Sequence, residues 1–153
     1  MGNYSSYIPC ILLFVLPYIV FAQGSGTLPV GWSLIAEGKA TSWYSPSSDF
    51  ALGFQKVQGK DQFLLSIWYA RIPDKTIVWF VNDGTTVAAG SKVQLTADRG
   101  LVLSDSQGDE LWRSDSFSGI ATNGVLDDAG NFIIFSSDST TLWDSFRKEA
   151  SKS

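Results

Sequence analysis

The chain has 153 residues, with 11 basic and 15 acidic side chains for a net charge of −4, no histidine and a single cysteine. Without histidine the commonest general base and metal ligand is missing, which excludes a Ser-His-Asp triad and leaves little for an ordinary zinc site. The acidic balance argues against nucleic acid or an anionic membrane surface as partner, and the length suits one domain rather than two.

At the N-terminus, Ile8 to Phe21 is an apolar run that leads to the small residue Ala22. This is the pattern of a secretory signal cleaved after Ala22, although the usual Lys or Arg is absent before the run. The run contains Pro9 and Pro17 and is too short to span a bilayer comfortably, so an uncleaved membrane anchor is the alternative reading. Cleavage removes Cys10, and with it any thiolate nucleophile or internal disulfide, and also the Asn3-Tyr4-Ser5 glycosylation match. The expected organisation is a signal over 1–22, a flexible lead-in over 23–31, one domain over 32–146 and a polar tail over 147–153.

From Trp32 onward the pattern is one of short strands and turns. Phe50, Leu52 and Phe54 alternate with Ala51 and Gly53, the period of a strand with one buried face. Phe63 to Tyr69 and Thr76 to Val81 are two further strands joined across a turn at Arg71 to Lys75, and Asn82-Asp83-Gly84 is a strong reversal signal. Lys92 to Thr96, Gly100 to Ser104, Glu110 to Ser114, Gly124 to Leu126, Asn131 to Ser136 and Thr140 to Ser145 follow, with Gly100, Gly108 and Gly130 at reversals. No ten-residue stretch carries a 3.6-residue apolar stripe. The domain is therefore read as all-β: a sandwich, a barrel or a prism.

Three segments recur along this chain: Ile77-Val78-Trp79-Phe80, Glu110-Leu111-Trp112-Arg113 and Thr141-Leu142-Trp143-Asp144. Their tryptophans stand 33 and 31 residues apart, which predicts three copies of one β unit around a shared core holding Trp79, Trp112 and Trp143. Three unrelated core tryptophans are the plainer alternative. The acidic pairs Asp127-Asp128 and Asp109-Glu110 are, by proximity, the candidates for a glycosidase-type carboxylate pair. Adjacent strand residues point to opposite faces, so both pairs read as solvated turns, as does Asp105-Ser106-Gln107-Gly108-Asp109, which lacks the spacing of a calcium loop.

Several ordered motifs together carry a resemblance. Trp43-Tyr44-Ser45-Pro46-Ser47-Ser48-Asp49-Phe50-Ala51-Leu52-Gly53-Phe54, Lys75-Thr76-Ile77-Val78-Trp79, Leu95-Thr96-Ala97-Asp98, Leu126-Asp127-Asp128-Ala129-Gly130-Asn131-Phe132 and Leu142-Trp143-Asp144-Ser145-Phe146 resemble the bulb-type (monocot mannose-binding) lectin domain that opens plant G-type lectin S-receptor-like kinases. The resemblance implies a β-prism of three four-stranded sheets with pseudo-threefold symmetry. It also implies a sugar motif, Gln-x-Asp-x-Asn-x-Val-x-Tyr, on each sheet. Residues two apart on a strand face the same way, so such a motif gathers polar groups for hydroxyls and an apolar one for a ring carbon.

Measured against that motif, every unit is eroded. The middle unit keeps Asp98 and Val102 but has Thr96, Gly100 and Ser104 at the Gln, Asn and Tyr positions. The last keeps Asn131, with Ile133 and Phe135 for Val and Tyr, and Asp127 and Ala129 for Gln and Asp. The first offers Ile67 and Tyr69, with Asp61, Phe63 and Leu65 at the polar positions. Each lost hydrogen bond costs about 1 kcal/mol, so two or three per site remove about two decades of affinity. An alternative is that Asp98 and Asn131 merely satisfy turn backbones.

The expected function is a secreted, extracellular (apoplastic), non-enzymatic module that binds glycans or glycoproteins, including mannose-containing ones, through Asp98, Val102, Asn131, Ile133 and Tyr69. No cofactor, metal, nucleic acid or membrane span is expected after signal cleavage; a homodimer is an arrangement the sequence leaves open. Family members continue past this segment with further modules and a kinase, whereas here Arg147 to Ser153 follows, which reads as a lectin domain truncated before the kinase. The alternative, of a different class, is a protein-interaction module that pairs with receptor-like kinases and modulates their signalling.

Overall fold

The computed structural model describes residues 2, 26–38, 42–81 and 84–147. The expected signal, apart from Gly2, the Asn82-Asp83 part of the reversal and residues 148–153 of the expected tail lie outside the described residues. Among the described residues no helix is long and apolar enough to cross a membrane.

Three short strands come first: β1 (Thr27–Pro29), β2 (Ser33–Ile35) and β3 (Ser42–Tyr44). The first meander follows, with β4 (Phe50–Lys56), β5 (Gln62–Tyr69) and β6 (Ile77–Phe80), and then the short β7 (Val87–Ala88). The second comprises β8 (Lys92–Thr96), β9 (Gly100–Ser104) and β10 (Glu110–Arg113), and the third β11 (Ala121–Leu126), β12 (Phe132–Ser136) and β13 (Thr141–Asp144). Each opening strand joins a different meander, giving sheets in the orders β3-β4-β5-β6, β10-β9-β8-β2 and β1-β11-β12-β13. The fold is the expected all-β prism of three sheets, except that β7 pairs with β5 and makes the first sheet five-stranded.

Thr27–Pro29 departs from the expected flexible lead-in. It pairs with Asn123 to Val125, and Leu28 is fully buried opposite Gly124. Three residues carry too little pattern to announce a strand whose partner lies far along the chain. The Phe50–Phe54 strand differs too, since Ala51 and Gly53 are as buried as the large residues. Ala51 lies in register between Tyr44 and Trp68, which stand over it on the outer face.

The core is built from middle-strand residues of one parity, among them Leu65, Ile67, Leu101, Leu103, Phe132 and Ile134. In every meander the last strand carries one extra residue just before its tryptophan. Trp68 faces Ile77 and Ile67 faces Trp79, so Val78 is bulged. Ser104 faces Glu110 and Leu103 faces Trp112, leaving out Leu111. Phe135 faces Thr141 and Ile134 faces Trp143, leaving out Leu142. One extra residue flips every later side chain to the opposite face, so each bulge turns a tryptophan from the outside of its sheet to the axis.

There the three indoles meet edge to face, with centroids 6.0, 6.0 and 6.4 Å apart and ring planes 66–73° apart. Such contacts contribute about 0.5–1.5 kcal/mol each beyond area burial. Two residues past each tryptophan the same backbone bond recurs: Val81 N–H donates to the Leu65 carbonyl at 3.1 Å, Ser114 to Leu101 at 2.9 Å and Ser145 to Phe132 at 2.9 Å.

The third hairpin is also tied to the first sheet. The Phe50 ring lies within 2.6 Å of where a Cβ on Gly130 (φ 80°) would sit. The Asp128 carboxylate accepts the Ser47 N–H at 2.8 Å, and this bond, followed by that of the Ser47 hydroxyl, holds its pKa below the ordinary value of 3.8. At the next turn the Ser136 hydroxyl and then Thr140 hold Asp138 down to about 2.

Two outcomes check this account. Trp143→Ala removes a buried member of the indole cluster and lowers unfolding stability in denaturant by about 3–5 kcal/mol, while Ile120→Ser, at a residue 70% exposed, shifts it by less than about 0.5 kcal/mol. The depressed carboxylates make stability that is fully present above their unfolded value of 3.8 and is lost as pH falls through their folded values. Melting temperature should therefore drop from about pH 4 towards pH 2, and an Asp128→Asn, Asp138→Asn double variant should flatten that drop.

Candidate carbohydrate-binding faces

The tryptophan pairings act as an internal ruler. Ile67, Leu103 and Ile134 face the three indoles, so the preceding residues, Ser66, Val102 and Ile133, occupy equivalent places on the outer faces. Stepping back by two gives Leu64, Gly100 and Asn131; stepping forward gives Trp68, Ser104 and Phe135.

This register corrects the expected alignment of the first unit by one residue. Phe63, Leu65 and Ile67 are buried in the core. Tyr69 shares their parity: it sits at the end of β5, 41% exposed, with its ring 4.5 Å from that of Phe50. It is therefore not part of an outward sugar face. The reason is the period of two, by which a slip of one residue exchanges the core face for the solvent face; β5 pairs with β4 without interruption from Phe63 to Tyr69, which puts Phe63, Leu65 and Ile67 on the core side. The true outer rows of the first sheet are Tyr44–Ala51–Trp68–Ile77 and Ser42–Gly53–Ser66–Phe80. Trp68 and Ser66 are buried, and Tyr44, Ile77 and Phe80 are exposed, so this face is apolar.

On the second sheet, Val102 lies in the row Ser33–Gln94–Val102–Arg113 and is only 6% exposed. Asp98 lies in the β8–β9 turn with its side chain 78% exposed, 3.8 Å from the Arg99 guanidinium. Arg99 also pairs with Glu110 at 2.9 Å, and Glu110 with Arg113 at 3.5 Å. A depression of about 190 Å³ beside this turn is lined by Asp98, Arg99, Arg113, Asp115 and Phe117, without Val102. Gly100, at the motif's Asn position, has φ 69°, and a Cβ there would stand 2.9 Å from the Phe117 ring. Phe117 and Ser114 fill the room that an asparagine side chain would need.

On the third sheet, Asn131 and Ile133 share the outer side and both are half-buried. Asn131 Oδ1 accepts the Ser145 hydroxyl at 2.9 Å and the Phe146 N–H at 3.2 Å, so its carbonyl end secures the chain beyond β13. Asp127, at the motif's Gln position, accepts the backbone N–H groups of Ala129 at 2.9 Å and Asn131 at 3.0 Å; its carboxylate closes the hairpin. Ile133 lies in the row Thr27–Val125–Ile133–Asp144. Asp144 carries none of the motif's spacing; the signal for it was its place one residue after an inward tryptophan, which alternation turns outward.

The structure thus brings Asn131 and Ile133 together, holds Asp98 and Val102 on a second sheet without a common depression, and separates Tyr69 from both. Restoring the motif at Gly100 fails on these terms. Gly100→Asn places a side chain at positive φ against Phe117, so stability falls by about 1–3 kcal/mol in denaturant unfolding, with no gain in sugar binding on titration.

Comparison with known proteins agrees with this geometry. A family model described as D-mannose binding lectin matches residues 76–152. A G-type lectin S-receptor-like serine/threonine-protein kinase from Arabidopsis thaliana is 47% identical over 161 residues, covering 95% of this chain and 19% of that protein. One from Oryza sativa subsp. indica is 37% identical over 145 residues, covering 90% of this chain and 17% of that protein. The chain therefore spans less than a fifth of the length of these curated relatives. Among solved structures, the Marasmius oreades lectin superposes with a TM-score of 0.56 at 16% identity, over 79% of this chain and 90% of that one, which shows a shared fold. With a matching family model, a three-sheet prism and a tryptophan-centred repeat, the chain belongs to the D-mannose binding lectin family.

Proposed function

We propose that this chain is a secreted, non-catalytic carbohydrate-binding module of the extracellular space, with eroded mannose-type sites that take glycans or glycoproteins weakly. The observation that carries the reading is the outer face of the third sheet. There Asn131 and Ile133 stand half-exposed on one side of β12 and its approach, at the places where the family motif carries a hydroxyl partner and a ring-carbon contact. The carboxylates speak for binding without hydrolysis. Asp127 is taken up by its hairpin and Asp128 by Ser47, so neither is free to act as general acid.

A second reading, a protein-interaction module that pairs with receptor-like kinases, draws on the first sheet. Exposed Tyr44, Ile77 and Phe80 make its outer face apolar where a sugar face is polar. A pull-down from extracellular extract that survives excess mannose and deglycosylation supports that reading over the first.

The deciding experiment is a glycan array probed with the chain presented multivalently, so that weak sites register through avidity. Mannose-rich signals should appear, and Asn131→Ala should weaken binding about fivefold, the equivalent of one hydrogen bond, with Asp98→Ala reading out any share taken by the second sheet. Thermal melting of each variant separates lost contacts from lost fold. A blank array from folded protein, or signals indifferent to both substitutions, overturns the assignment.

A further inference from the structure

We propose that Asp144, from β13, completes the outer face of the third sheet into a site for a neutral hexose, with Asn131, Ile133 and Phe146. This rests on the carbohydrate reading above and names the residues that replace the lost part of its motif. The Phe146 N–H is shared by two acceptors, Asp144 Oδ1 at 3.0 Å and Asn131 Oδ1 at 3.2 Å. Two oxygens converging on one N–H hold the side chains next to each other and leave their other ends, Asp144 Oδ2 and Asn131 Nδ2, without a protein partner among the described residues. One is an acceptor and the other a donor.

Apolar carbon comes from Ile133 across the strand and from Phe146, the residue whose N–H both oxygens accept. Ile133 is the register partner of Asp144 and is half-buried, and the Phe146 side chain is 51% exposed. A hexose offers the complement: adjacent hydroxyls that need one acceptor and one donor, and a C–H face that packs on aliphatic and aromatic carbon. The charge pattern selects among sugars. Asp144 has no ion-pair partner among the described residues, so its carboxylate repels a uronic acid and accepts from a neutral sugar. In the other two sheets the equivalent places, opposite Val102 and Ser66, hold Arg113 and Phe80. The arrangement therefore belongs to the third sheet alone.

The test compares binding of the full chain and its variants, immobilised at high density, to albumin bearing mannose, glucose or galacturonic acid. Asp144→Asn keeps an Oδ1 acceptor for Phe146 and so keeps the turn, but loses the charged acceptor. It should lower binding to the neutral-hexose conjugates at least tenfold with an unchanged melting temperature, and the galacturonic acid conjugate should not bind the parent chain. Phe146→Ala, at an exposed ring, should weaken binding at least fivefold and covers the case in which Asp144→Asn is unstable. Neutral-hexose binding that both variants leave intact overturns this site while the carbohydrate reading stands. Absence of binding to every conjugate by folded parent chain overturns both.

Discussion

Everything in this prism depends on three indoles reaching the same axis. A strand with strict alternation puts Trp79, Trp112 and Trp143 on the outside of their sheets, because each lies two residues after one that faces outward. The single bulged residues, Val78, Leu111 and Leu142, reverse that. The energetic exchange favours the bulge: one unpaired position in each ladder is offset by burying a large aromatic surface and by edge-to-face contacts with two other rings. The single cysteine allows no internal disulfide, and among the described residues no cluster of His, Cys, Asp or Glu could hold a metal ion.

Closure of the three sheets falls to the start of the fold. Within residues 27–44 the chain lays one strand against each meander in turn, so none of the three sheets is finished until this segment is in place. The arrangement raises the share of contacts between residues distant in sequence, a topology that folds slowly relative to local meanders. Gly130 beneath Phe50 and Asp128 on Ser47 add a direct tie between the first and third units. A carboxylate at that tie makes the join sensitive to acid, whereas the three indoles do not themselves titrate.

The sequence made the repeat legible because tryptophan is rare and because the residues flanking it match in kind. The three meanders were legible because glycine and aspartate mark their turns. Lys92–Thr96 and Gly100–Ser104 were readable to the residue. What stayed hidden has physical causes. β1, β2 and β3 have three residues each, too few to show a period, and their partners lie far along the chain. The bulges leave no compositional mark, and in β5 a motif position set one residue off put Tyr69 on the wrong side. Asn131 and Ile133 were singled out by their place in a motif, and the fold sets them on one side of the third sheet. Asp144 was not, since its role arises from pairing across strands, which spacing along one strand does not record.

Alternation also explains how one core can carry three unlike faces. Core-facing and outward residues interleave along each middle strand, so Leu101 and Leu103 fill the interior while Val102 and Ser104 face the outer side, and likewise in the other units. The first face has become apolar through Trp68, Phe80 and Tyr44. The second has become a lattice of arginine and carboxylate pairs around Glu110. The third keeps an acceptor and a donor, on Asp144 and Asn131, that no ion pair among the described residues takes up. If that face holds the sugar, each copy presents a single shallow site, and retention on a glycan depends on several copies acting together rather than on three sites within one prism. The symmetry of the fold then persists for the sake of its axis, not of its ligand.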